Sequence, residues 1–346
     1  MTSPNKMGRS LTSVVGGVTK MGCALMARGD GAKAVALLEG LTASDPDNAE
    51  LRSATQVVLS HGVADYHWSM LQDGPRNAAF AKAIARVVQP GATVLDIGTG
   101  SGLLAMIAAR AGAGRVVACE AHPALAETAR DIVLRNGLQD RVRVIGGMST
   151  HLDRDHDLDG GADVIIAEVF SNNLLSEGVL ATLSHAVPEL GRPGVRVIPA
   201  AASIRAALAY HDTPTLDLTA VEGFDLSLFE RHVDLEYALD ISSDDVSVRS
   251  APVDLFGFDF EGGPAVDANS VTKAFTATGG PANGVVRWVR LQLDDQGVYE
   301  NDPSPGNRSH WSMLFTPFPD GRVVAEGDTI TVGATHDRTR VYVWVD

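Results

Sequence analysis

Cysteine is scarce: the 346 residues hold only Cys23 and Cys119, which fall in different predicted elements. Neither has metal-ligand spacing, so both read as small buried thiols, in keeping with a reducing, cytoplasmic compartment. No run reaches the roughly eighteen apolar residues of a membrane-spanning helix. The opening residues, MTSPNKMGRS, lack the apolar core of a secretory signal. Basic charge is short as well, with 28 Lys and Arg against 43 Asp and Glu and a net charge of −15. Binding to a nucleic-acid backbone needs a basic surface and is not expected. The acidic surplus reads as ordinary solubility, or as a weak attraction for a cationic substrate. Low-complexity tails and internal duplications are missing too. What is present, 45% hydrophobic and 21% charged residues, is the composition of a soluble globular protein long enough for two or three domains.

The chain is organised around residues 94–120, VLDIGTGSGLLAMIAARAGAGRVVACE. A short apolar run ends in Asp96, and a turn with Gly98, Gly100 and Gly102 follows. A small-residue helix over 103–111 leads to a second apolar run, 115–119, closed by Glu120. Strand, glycine turn, helix and strand in that order predict an open parallel sheet with its ligand at the carboxyl ends of the strands. Glycines let the backbone approach a ligand that a Cβ would exclude. A dinucleotide site shows G-x-G-x-x-G facing a pyrophosphate. Here the spacing is G-x-G-x-G with Asp96 beside it. An acid at that place repels a pyrophosphate and suits a ligand with an ammonium and a sulfonium, S-adenosyl-L-methionine. Glu120 can take both hydroxyls of a ribose. The plain alternative is a tight structural turn.

Residues 15–50 read as helical, ending near Pro46. Gly22, Leu25, Gly29, Ala34, Leu38 and Pro46 fall where a tetratricopeptide unit has its small, bulky and terminal residues, so the segment resembles one such hairpin. It is either a docking site for a partner or an amphipathic hairpin packed on the main domain. Residues 51–90 stay helical, with Pro75 and Pro90 as breaks, and carry Met70 and Arg76 just upstream of the glycine turn. Arg76 offers a bidentate fork to a ligand carboxylate, or is an ordinary ion-paired residue.

After Glu120 come a helix over 123–136, a strand over 141–145 and a loop with Met148 and Ser149, where an adenine can lie. A polar turn over 157–161 precedes the strand 163–167, which runs into Glu168. Glu177 follows, then a helix to about residue 190 and a strand over 195–198. Beyond residue 199 helical periodicity fades, and segments such as 285–293, 329–334 and 340–345 alternate between turns rich in Gly, Pro and Asp. The expected architecture is an α/β chain in three parts. A helical, tetratricopeptide-like hairpin occupies 1–60, a Rossmann-like doubly wound sheet 61–199, and an all-β, barrel-like domain 200–346.

Glu168 and Glu177 bracket one loop at a strand terminus. Metal ligation needs a His or Asp cluster nearby, which the loop lacks, so no metal is expected. Surface acids are one reading; a clamp for a cation is another. A guanidinium presents five donors in a planar fork that matches carboxylates. It stays charged and delocalised and is a poor nucleophile. Carboxylates gripping it can bias electron density toward one nitrogen and aim that lone pair at a methyl sulfonium. Positioning of this kind supplies on the order of 7 kcal/mol or more in well-oriented cases.

In this order the motifs resemble the protein arginine N-methyltransferase family. Its V-L-D-x-G-x-G-x-G motif is matched by residues 94–102, its ribose acid by Glu120 and its double-glutamate loop by Glu168 and Glu177. Its Met-Leu-x-Asp-x-x-Arg segment is matched by Met70, Leu71, Asp73 and Arg76, and its Thr-His-Trp loop by Ser309, His310 and Trp311. Residues 223–227, GFDLS, resemble a segment beside the family's dimerisation arm. The resemblance runs from residue 61 to the end. It is nearest to the divergent seventh and ninth subfamilies, through LDIGTGSGLLAM, the Arg76-Asn77 pair and Phe170. The ninth also carries tetratricopeptide repeats before its catalytic module. Those branches hold two modules, whereas this chain holds one, which implies a homodimer with its arm at 211–228.

The resemblance implies S-adenosyl-L-methionine-dependent methyl transfer to arginine in a protein or peptide. Met70 and Arg76 would serve the cofactor, with Arg76 on its carboxylate. Asp96, Gly98 and Gly100 would line the methionine moiety, Glu120 the ribose, and Met148 with Ser149 the adenine. Glu168 and Glu177 would clamp the guanidinium, and His310 with Trp311 would shape the acceptor pocket. Four departures stand out. The family's Tyr-Phe-x-x-Tyr segment is missing before Met70. The Asp that partners the residue matching His310 is not evident in that helix. The adenine-side Glu falls near Thr150. Phe170 replaces a Met of the common branches, and its bulk implies restriction of a second methylation. A small-molecule acceptor, or a non-catalytic interaction protein keeping the fold, are the alternatives. Four retained acids, Asp96, Glu120, Glu168 and Glu177, argue against decay.

Overall fold

Helix α1 (Met7–Ala27) gives way at Gly29, whose φ of +78° turns the chain back into α2 (Gly31–Ser44). A third helix follows, α3 (Ala49–Ser60), capped by Asn48, whose side chain accepts the Leu51 N–H at 3.0 Å. The structure, a computed structural model, describes residues 7–61, 63–212, 217–239, 246–263 and 267–345. The expected hairpin over 15–50 is therefore the first part of a three-helix arrangement. Gly22 is where α1 meets α3: a Cβ there would come within 2.8 Å of Val58. Met26, Ala34, Leu38 and Val58 form the core of these helices.

Next come α4 (Tyr66–Gln72) and α5 (Gly74–Val87). Pro75 opens α5 in its first turn, where a missing N–H costs nothing. The chain then alternates: β1 (Thr93–Ile97), α6 (Leu103–Arg110), β2 (Arg115–Glu120), α7 (Pro123–Arg135), β3 (Val142–Gly146), α8 (Arg154–Leu158), β4 (Ala162–Ala167), α9 (Val179–Leu190) and β5 (Gly191–Ile198). The sheet order is β3-β2-β1-β4-β5, with β1 parallel to both β2 and β4. Every residue of β1 is buried, as a central strand covered on both faces requires. The order reverses between β1 and β4, and the crevice at such a reversal is where open parallel sheets bind ligands.

The second half is β-rich: β6 (Ala201–His211), β7 (Tyr237–Leu239), β8 (Val246–Val248), β9 (Val253–Asp259), β10 (Asn269–Thr276), β11 (Gly284–Gln292), β12 (Val298–Glu300), β13 (Met313–Pro317), β14 (Thr329–His336) and β15 (Val341–Val345). One antiparallel sheet runs β7-β13-β11-β6-β8, with β12 on β11 and β9 on β6, and a second runs β10-β14-β15. Ala207, Val286, Trp288 and Phe315 are in the core of the first. The α/β class with a trailing antiparallel β domain is thus as expected.

The chain divides into two compact units. One holds the described residues up to 69, with 84–168 and 185–196. The other holds 70–83, 169–184 and everything described from 197 on.

Candidate active site

In the first unit the glycine turn is built around two carboxylates. Asp96, at the end of β1 and almost fully buried, accepts the Thr99 hydroxyl at 2.5 Å and the Ala105 N–H at 3.1 Å. It thereby ties the turn to the first turn of α6. The N–H groups of Gly98 and Thr99 both donate to the Cys119 carbonyl at 3.0 Å, which pins the turn to β2. Glu120 closes β2. Its Oε2 accepts the Gly100 N–H at 3.0 Å and its Oε1 the His122 N–H at 2.7 Å. A carboxylate has about four acceptor sites, so both oxygens retain capacity for a diol. Gly100, at φ +54°, would carry a Cβ into open space above the turn. That open space beside two acids fits a cationic nucleoside ligand.

Beyond β3, Ser149 is buried and Met148 is half exposed, at the same carboxyl edge as Glu120. Thr150, in the family's adenine-side Glu position, is exposed and not acidic. Ala167 of β4 is registered with Ile97 of β1, so Glu168 leaves the sheet one residue beyond the turn strand, beside Gly98. Glu168 is half buried.

His67 has no place among the sequence-derived residues, yet it is close enough to Glu120 to feel its charge. Burial lowers its pKa below the ordinary imidazole value, Glu120 opposes that shift, and His122 reinforces it. The signal was its helical position, three residues before Met70 on α4.

In the second unit Asp73 is a hub. It accepts the Arg76 N–H at 2.9 Å, the Tyr299 hydroxyl at 2.5 Å, and both the N–H and the Nδ1 of His310 at 3.0 Å. Burial pushes its carboxyl upward, but the bonds from His310, Tyr299 and the backbone outweigh it and hold the pKa at about 2. A carboxylate can only accept, so the Nδ1 of His310 carries a proton and donates it to Asp73. The missing acidic partner of His310 is thus Asp73, just after Met70 rather than in the helix before it. Tyr299, which burial and Asp73 keep protonated, went unread in the sequence.

Trp311 is buried against His310, Tyr299 and Phe170, with ring centroids 4.6, 5.6 and 6.3 Å away. Phe170 also stacks on Phe260 at 6.0 Å. Asn172 accepts the Ser312 N–H at 3.1 Å, which ties the glutamate loop to the His-Trp loop. Within the glutamate loop Asn173 Oδ1 accepts the N–H groups of Leu175 and Ser176. Leu174 is held at φ +71°, a costly conformation for a branched residue. Such strain clusters at functional loops. Glu177 is exposed at the loop's end. Arg76 is buried, bonded to Asn77 Oδ1 at 2.9 Å, with its guanidinium 5.0 Å from the Phe80 ring centre. The first unit thus holds Asp96, Gly98, Gly100, Glu120, Met148, Ser149 and Glu168, and the second holds Met70 near the end of α4, Arg76 on α5, Glu177, His310 and Trp311.

The sequence profile of the ribosomal protein L11 methyltransferase (PrmA) family matches residues 79–198. An arginine N(omega)-methyltransferase of Streptomyces achromogenes subsp. streptozoticus is 36% identical over 281 residues, 80% of this chain and 77% of that protein. Protein arginine N-methyltransferase 7 of Oryza sativa subsp. indica is 30% identical over 313 residues, 79% of this chain. This chain spans only 43% of that relative's length. The Trypanosoma brucei PRMT1 enzyme-prozyme heterotetrameric complex with AdoHcy aligns with a TM-score of 0.71 at 23% identity, over 83% of this chain and 94% of that one. Arabidopsis thaliana protein arginine methyltransferase 10 aligns with a TM-score of 0.66 at 22% identity, over 80% of this chain and 89% of that one. At those identities the likeness is one of fold.

Proposed function

Since this chain belongs to the protein arginine N-methyltransferase family, we propose that it moves a methyl group from S-adenosyl-L-methionine to a guanidinium nitrogen of arginine in a protein or peptide. The observation that carries the reading is the register of β4 on β1, which delivers Glu168 beside the glycine turn. Asp96, Gly98 and Gly100 take the methionine moiety, Glu120 the ribose hydroxyls, and Met148 with Ser149 the adenine. His67 adds a ring on the ribose side. The cofactor supplies an electrophilic methyl carbon on a sulfonium sulfur. Glu168 and Glu177 grip the acceptor guanidinium, strip it of water and concentrate a lone pair on one nitrogen. Asp73 holds His310 in a single tautomer, and Trp311 packs that ring in place.

The test is transfer from methyl-labelled S-adenosyl-L-methionine to arginine-containing peptides, with acid hydrolysis and mass spectrometry of the products. Methylarginine released only on hydrolysis of the peptide sustains the reading; in a parallel reaction offered free arginine, label on that amino acid with none on the peptides moves the acceptor to a small molecule. That second reading has its own support. The Streptomyces relative is named for arginine without protein, and this chain covers more of it than of the rice protein.

Phe170, locked between Phe260 and Trp311, restricts the acceptor side. The expected product is therefore monomethylarginine. Phe170→Met, which trades a rigid ring for a flexible chain, should raise the dimethylated fraction by about tenfold in a mass-spectrometric time course, an estimate equal to about 1.4 kcal/mol of relieved crowding. An unchanged product ratio would remove Phe170 from product control.

The proposed homodimerisation arm is residues 211–228, of which 213–216 lie outside the described residues; its apolar exposure continues just beyond it, to Leu235. Phe224, Leu228, Phe229 and Leu235 are each about 70% exposed or more, an apolar density that monomers rarely leave to water. Leu228→Asp with Phe229→Asp should shift sedimentation from dimer to monomer at micromolar concentration. A wild-type chain that is already monomeric there would end the proposal.

A further inference from the structure

The first unit carries an arrangement that neither the cofactor turn nor the acceptor loop explains. The core of the three N-terminal helices is completed from outside them, by Ala124 of α7. At the same contact Gly31, the first residue of α2, lies so close to Pro123 that a Cβ would fall 2.3 Å from the proline Cβ. Only glycine fits there. The residue before Pro123 is His122, two after Glu120. Its backbone N–H donates to Glu120 Oε1 at 2.7 Å. Its ring is engaged at both nitrogens. Nδ1 accepts the Leu125 N–H at 3.4 Å and caps α7, and Nε2 donates to the carbonyl of His61, at the end of α3, at 3.1 Å. A carbonyl only accepts and an N–H only donates, so one neutral tautomer, with its proton on Nε2, serves both bonds.

We propose that His122 is a positioning residue: through it the N-terminal helices set the carboxylate of Glu120 for the cofactor ribose. The proposal rests on the reading of Glu120 as the ribose acid. Two independent contacts hold the loop after β2 against the helices, the Gly31–Pro123 packing and the His122–His61 bond. The loop's own N–H in turn orients Glu120, whose other oxygen is held by Gly100. The helices are therefore part of the cofactor site's support, and their loss of contact frees a carboxylate that must meet two hydroxyls at once.

The experiment is calorimetric titration of the full chain with S-adenosyl-L-homocysteine, together with kcat and KM for the cofactor. His122→Asn is the central variant, because Asn caps a helix well but is too short to reach His61. It should raise Kd about tenfold and the cofactor KM in step, with a much smaller change in kcat, a split that a loss of general stability does not give. Gly31→Val should raise Kd likewise, and the double variant should fall well short of the product of the two effects, as coupled sites do. If Gly31→Val fails to fold, His122→Asn alone decides. Wild-type Kd in His122→Asn overturns the proposal. Glu120→Gln is the separate control: if it leaves Kd unchanged, the ribose assignment itself falls, whereas a weakened Glu120→Gln beside a normal His122→Asn removes only the role of His122.

Discussion

Glu168→Gln and Glu177→Gln are each expected to lower kcat by about a thousandfold, equal to about 4 kcal/mol of transition-state stabilisation, with cofactor Kd within about twofold of wild type. The reason is donor arithmetic. An ionised carboxylate offers acceptors only, and a guanidinium offers donors only. An amide of the same shape turns one oxygen into an NH2 that faces the guanidinium donors. It also removes the charge that holds electron density on the attacking nitrogen. The isosteric swap leaves the backbone of the loop alone, with its Asn173 bonds and its left-handed Leu174. Single-turnover rates with labelled cofactor, next to calorimetric Kd, separate the two quantities. A variant that keeps kcat would make its glutamate a surface acid, and one that loses cofactor binding instead would move it to the cofactor site.

Asp73→Asn carries the second large effect, and it is felt in stability as well as rate. Four donors converge on the Asp73 carboxylate. An amide satisfies at most some of them and adds two donors of its own in a buried place. Stranding buried donors beside a lost charge costs about 2–4 kcal/mol. His310, freed from its acidic partner, no longer keeps a single tautomer, so kcat should fall by about a hundredfold. The stability loss has a pH signature. Asp73 titrates at about 2 in the folded chain against an ordinary 3.8. A depressed carboxylate contributes stability that is complete above its unfolded pKa and fades as the pH drops from about 4 to about 2, worth about 2 kcal/mol in all. Urea denaturation at pH 7 and at pH 3 should therefore show the gap between wild type and Asp73→Asn narrowing in acid. A gap that stays constant with pH would assign the loss to packing rather than charge.

The readable parts of this fold were local ones. The glycine turn with its acids, the alternation of strands and helices to residue 198, and the change to β texture afterwards each rest on spacing within a few residues. What escaped depends on long separations. Asp73 and His310 are 237 positions apart. The motif Met-Leu-x-Asp-x-x-Arg displayed Asp73 openly, but only the folded β domain shows what it accepts from. Tyr299 belongs to no pattern at all; its hydroxyl matters because β12 brings it to Asp73. The third N-terminal helix was legible in retrospect, since Leu51, Ala54, Thr55 and Val58 repeat at helical spacing and are all buried. Its merging with the helical reading of 51–90 hid the break at residue 61. The helix read over 123–136 begins one residue after His122, and the bond of that side chain to a backbone carbonyl 61 positions earlier has no sequence trace.

The dependence of the N-terminal core on Ala124 has a consequence during synthesis. Helices α1 to α3 leave the ribosome before α7, and the residue that seals their apolar cluster emerges about sixty residues after α3. At about 5–20 residues per second the nascent helices wait several seconds with that face unsealed. The three helices are therefore not sealed on their own but as part of the assembly that α7 completes, and pauses in translation between residues 60 and 124 prolong the exposure while pauses after residue 124 do not.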